Sequence, residues 1–96
     1  MHVVVNHLRL RDPVTEVTVE AAHEGMRSVV EAGALAARIA KVDARHLILI
    51  LEFSTAEDAG RIAREVGGPW MNEHIRPLLA GDTERSLGEV IASAEA

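Results

Sequence analysis

The chain has 96 residues, of which 48 % are hydrophobic and 26 % charged, with a formal net charge of −5 and no cysteine. This is the composition of one globular domain spanning residues 1–96. The acidic balance, with arginines scattered among acids, excludes the basic stripe that a nucleic-acid face needs, and the missing thiols exclude disulfides, thiolate metal sites and a cysteine nucleophile.

No apolar run approaches the roughly 18 to 20 residues of a membrane span, and the opening "HVVVNHLRL" is too short and too polar for a signal peptide. A cytoplasmic protein is the default expectation. "HVVVNHLRLRD" is rich in β-formers and ends where Asp12-Pro13 bars a continuing strand. A helix is expected from about Thr15 to Ala32, with Val19, Ala22, His23, Met26 and Val30 on one face and Gly33 as its C-terminal cap. "ALAARIAKVDARHLILILEFS" reads as two strands meeting at a turn near Asp43-Ala44, and His46 to Phe53 is the strongest strand signal of the chain. Thr55, with Asp58 three residues on, starts a second helix whose face is Ala59, Ile62, Ala63 and Val66. Gly67-Gly68-Pro69 is expected to end that helix and to begin a short one carrying Trp70, with a break near Pro77. "ERSLGEVIAS" supplies a last strand. The order β-α-β-β-α-β is the ferredoxin-like arrangement of the α+β class.

Two helices cover only one face of a four-stranded sheet. In the strongest strand Leu47, Leu49, Leu51 and Phe53 alternate with Ile48 and Ile50, so both faces are apolar. A strand apolar on both sides is buried on both sides, and a domain this small has no third layer. The expectation is a homodimer through the open sheet face, two copies enclosing an α+β barrel.

The five histidines, His2, His7, His23, His46 and His74, include no pair at the spacings of zinc sites. No phosphate loop, dinucleotide fingerprint or serine elbow occurs either. An enzyme built on this chain is expected to need no metal and no cofactor. Strand alternation sets Val4, Asn6, Leu8 and Leu10 toward the helices, leaving the Asn6 amide in an apolar layer. There it either meets a ligand or bonds a neighbouring backbone group. His74 shares a helical face with Met71, Ile75 and Leu78, with Trp70 at its margin, and an imidazole can take a proton near neutral pH. It is either a proton acceptor or a packed core histidine. His23, inside the expected stripe of the first helix, poses the same choice.

Through "VNHLRL", "LILILEFSTAEDA" and "WMNEHIRPLLAGDTERSLGEVIAS" nearly the whole chain resembles the dimeric α+β barrel proteins, within them the antibiotic-biosynthesis-monooxygenase-like group. The resemblance implies a cofactor-independent monooxygenase acting on an aromatic, polyketide-like molecule, with Asn6 and His74 as catalytic residues and Trp70, Met71 and His23 against the substrate. "HLILILEFSTAEDAGRIAREVGGPWMNEHIRPLL" also resembles the stress-response barrels, which implies a non-catalytic, ligand-binding alternative. Haem-degrading members carry a tryptophan at the position that falls here on or beside Ile62, so haem degradation fits less well. Trp70 is expected to pack across a pocket mouth or a subunit boundary. A pocket of roughly 300 Å³ or more lined by both Asn6 and His74 would favour the enzyme.

Overall fold

A computed structural model describes residues 1–96. Its strands are β1 (His2–Arg9), β2 (Ala36–Asp43), β3 (His46–Phe53) and β4 (Glu84–Glu89). Its helices are α1 (Glu16–Glu31), α2 (Ala56–Ile62) and α3 (Gly68–His74), with a π-helical turn Ala63–Gly67 between the last two and a 3₁₀ turn Arg76–Leu78 after them. The four strands form one antiparallel sheet in the order β2-β3-β1-β4. This is the ferredoxin-like β-α-β-β-α-β arrangement expected from the alternation of signals.

Local chemistry starts both long helical segments. Thr15 and Thr55 are extended N-caps whose hydroxyls accept from the backbone N–H groups of Thr18 at 3.4 Å and Asp58 at 3.0 Å. Each satisfies one of the donors that a helix start leaves free. Gly33, at φ +125°, lies just beyond the C-cap Ala32 and turns the chain from α1 toward β2.

The core lies between the helices and one face of the sheet. Val4, Asn6, Leu8 and Leu10 of the first strand segment point into it, as do Leu47, Leu49, Leu51 and Phe53 of β3, all buried. The alternation is the expected one. By register the opposite face carries Val3, Val5, His7 and Arg9 on β1 beside His46, Ile48, Ile50 and Glu52 on β3. No helix covers it.

Three expectations need correction. The buried stripe of α1 is Thr18, Gly25 and Val29, with Ala22 and Met26 half-buried, whereas Val19 and Val30 are 46 % and 44 % exposed. The helix is rotated by about one residue because it meets its neighbours at Gly25, where a missing side chain lets an indole approach; His23 is thereby turned out to the flank. The glycines at 67 and 68 do not end the second helix either. Both stay right-handed helical, at φ −64° and −62°, and the chain widens into the π turn. The last strand stops at Glu89, short of the expected Ser93, and Ile91 is 94 % exposed beyond it.

Candidate functional site

The π turn shapes the site. Pro69 has no N–H to give, and the N–H of Gly68 reaches back five residues to the carbonyl of Ala63. A Cβ on Gly68 would lie 2.6 Å from that oxygen, so the turn requires glycine there. One extra residue in the turn re-aims everything after it. Trp70 swings onto α1, where its Nε1–H donates to the Ala21 carbonyl at 3.0 Å and its ring covers Gly25. A Cβ at position 25 would stand 2.4 Å from the indole.

Behind this contact the sheet and the helices enclose a cavity of about 480 Å³. Its floor is the helix-facing row of the sheet, Val4, Asn6, Leu49 and Leu51; Phe53, Ile62, Met26, Trp70 and Met71 wall it. The 3₁₀ turn is pinned to the end of β1, since Arg11 N donates to Leu78 O at 2.9 Å, Ala80 N to Arg9 O at 2.8 Å, and the Arg11 side chain to the Pro77 carbonyl. That anchorage holds Arg76, Leu79 and the Gly81–Thr83 loop against the opening. Arg85 stands directly across from Asn6 on β4 and completes the lining.

The cavity is apolar except at two places. Deep in it the Asn6 side chain is 6 % exposed, and its Oδ1 is buried without a hydrogen-bond partner. An amide left so costs roughly 1 to 3 kcal/mol on mutational scales. At the rim stand two guanidinium groups, Arg76 and Arg85, with the Asp82 carboxylate and the Thr83 hydroxyl. Such a site takes a flat, mostly apolar molecule with a polar group for Asn6, and the two cations favour an ionised group near the opening.

The five residues singled out from the sequence fall in three places. Asn6, Trp70 and Met71 line the cavity together. His74 does not: its ring lies 5.9 Å from that of Trp70, centroid to centroid, its side chain is 37 % exposed, and its Nε2 is 3.7 Å from Glu73. The expected pairing of Asn6 and His74 around one cavity is therefore corrected: Trp70 and Met71 of the same short helix stand in the lining and His74 does not. His23 lines a different depression, of about 490 Å³, between α1 and the edge strand β2, with Val19, Ile39 and Lys41. Sequence reasoning passed over Arg85, although it shares the phase of Leu87 in "ERSLGE"; Arg76, Asp82 and Thr83 carry no periodic signal.

No protein-family model and no curated protein matches the chain. Solved structures do. An antibiotic biosynthesis monooxygenase superposes with a TM-score of 0.80 at 14 % identity over 96 % of this chain and 100 % of its own. SnoaB, a cofactor-independent oxygenase of Streptomyces nogalater, in its N63A form, gives 0.79 at 11 % over 96 % and 94 %. The ActVA-Orf6 monooxygenase of Streptomyces coelicolor, in complex with nanaomycin D, gives 0.77 at 17 % over 99 % and 91 %. From end to end, this chain has the fold of the antibiotic-biosynthesis-monooxygenase-like structures.

Proposed function

We propose that the chain binds a hydroxylated aromatic small molecule in the cavity around Asn6 and acts on it as a cofactor-independent monooxygenase. The observation that carries the reading is the unpartnered, buried Oδ1 of Asn6 in a cavity of about 480 Å³, larger than its own apolar side chains fill. A ligand hydroxyl donating to that oxygen removes the cost of the orphaned amide. Arg76 and Arg85 at the rim favour the phenolate over the phenol, and the ionised, electron-rich ring then supplies the four electrons that reduce dioxygen, one oxygen atom entering the ring carbon that is oxidised and the other leaving as water with the two hydrogens that carbon loses. Asp82 is the one carboxylate of the lining. His74 acts on the ligand only through the Trp70 ring, whose centroid lies 5.9 Å from its own at a tilt of 39°.

Two copies pair through the open sheet face, burying Ile48 and Ile50. The structures of like fold that are named as oxygenases support the catalytic reading, and the distance of His74 from the lining favours a second one, a barrel that binds the same class of ligand without turning it over.

Titrating the protein with a hydroxylated anthrone or anthraquinone under nitrogen, followed by Trp70 fluorescence, tests the pocket. Oxygen consumption with the anthrone then tests turnover. Saturable binding that Asn6→Ala weakens, together with oxygen uptake above the buffer rate, is the expected result. Binding without uptake leaves the non-catalytic barrel, and absence of binding refutes both.

A further inference from the structure

On the open face of the sheet, His7 and His46 meet. Nδ1 of His7 is 2.9 Å from Nε2 of His46, their ring centroids are 5.2 Å apart, and both residues are half-buried. They are far apart in sequence and are joined by the register of β1 on β3, which sets His7 diagonally beside His46. This pair lies outside the cavity and takes no part in the proposed chemistry.

A second copy of this chain is the occupant that suits the face. Val3, Val5, Ile48 and Ile50 form its apolar centre, and the register adds Arg9, Arg38, Glu52 and Glu84 around it. The patch carries charges of both signs around its apolar centre, so two identical surfaces can meet there with opposite charges facing each other.

We infer that the His7–His46 pair makes this pairing proton-sensitive, so that acidification separates the two copies. The inference rests on the proposed homodimer. A hydrogen bond between two imidazoles needs one nitrogen that donates and one that accepts. A first added proton can go to an outer nitrogen and strengthen the bond. A second must occupy the accepting nitrogen, which breaks the bond and leaves two cations facing each other. The charged groups around the pair come from three strands. Glu84 of β4 stands opposite His7; Arg9 of β1 and Asp43 of β2 stand opposite His46. The Asp43 carboxylate is already engaged by the Arg45 backbone N–H at 2.8 Å. Arg9 opposes a second positive charge, and Glu84 can offset only one.

The sign follows from solvation. On separated chains water stabilises the imidazolium, whereas under a second copy the same charge loses that water. Separated chains therefore bind protons more tightly than paired ones, and mass action shifts the equilibrium toward them on acidification.

Sedimentation equilibrium of the full chain at pH 8 and pH 5, with chelator present, tests the inference beside the His7→Gln/His46→Gln variant, whose side chains cannot charge. The wild-type dimer Kd should rise by at least about tenfold on acidification, and that of the variant should stay constant within about twofold. A wild-type dimer with the same Kd at both values overturns the inference while leaving the pairing intact. A wild-type monomer at pH 8 overturns the pairing and the inference with it. Should the double variant fail to fold by circular dichroism, His46→Gln alone replaces it. Nitrogen-15 spectra of the wild-type imidazoles at pH 8 give an independent readout: one of the two facing nitrogens must be protonated and the other bare, and a pair without that complementarity overturns the inference as well.

Discussion

Asn6 and Gly25 illustrate opposite consequences of a single side chain. The Asn6 Oδ1 has no partner to lose, so Asn6→Ala should leave the free energy of unfolding unchanged or raise it, while weakening binding of a hydroxylated ring about tenfold, the value of one hydrogen bond. Thermal melting and a fluorescence titration on the same sample separate the two effects; a large fall in melting temperature would mark the amide as structural. Gly25→Ala in an ordinary helix would add up to about 1 kcal/mol. Here the new methyl would meet the Trp70 ring, and the overpacking should instead cost about 1 to 3 kcal/mol. Urea unfolding gives the sign, and a shift of Trp70 emission shows whether the indole is displaced.

At the scale of an element, the segment from Ala63 to His74 decides the shape of the cavity. Its two adjacent glycines look alike in the sequence and differ in space. At Gly67 a Cβ would come no nearer than 3.8 Å to the Ile62 carbonyl, in helical backbone any residue adopts. Gly67→Ala should therefore be neutral or stabilise by up to about 1 kcal/mol through the unfolded chain. Gly68→Ala drives a methyl against the Ala63 carbonyl oxygen and should cost more than about 1 kcal/mol, because the opposing atom is backbone and cannot swing away. Comparing the two variants by denaturant unfolding tests the π turn, and ligand titration of Gly68→Ala tests whether the turn sets the cavity wall. Equal effects of both substitutions would contradict the geometry.

For the whole molecule the open face of the sheet is the deciding feature. Ile50 lies there by register, between Arg38 and Val5, and a lysine would place a charge where the second copy removes water. Ile50→Lys should yield a monomeric or aggregating chain, since a buried charge without a partner is strongly unfavourable. Sedimentation velocity at micromolar concentration checks this, and an unchanged dimer would show that the copies pair elsewhere.

The order of elements, the inward face of the first strand with Asn6 on it, the Thr55 cap and the two-sided apolar pattern of β3 were all present in the sequence, because strand alternation and capping are local properties of the chain. The phase of α1, the continuity of the helix through Gly67 and Gly68, and the separation of His74 from Asn6 were decided only in three dimensions. The first depends on a distant packing event, the indole of Trp70 seated on Gly25 across 45 positions of sequence, and the other two on the π turn in which Gly68 N–H reaches Ala63 O. The contact between His7 and His46 is of the same kind. Spacing along the chain carries no trace of it, since two residues 39 positions apart meet only when the register of neighbouring strands brings them to one face.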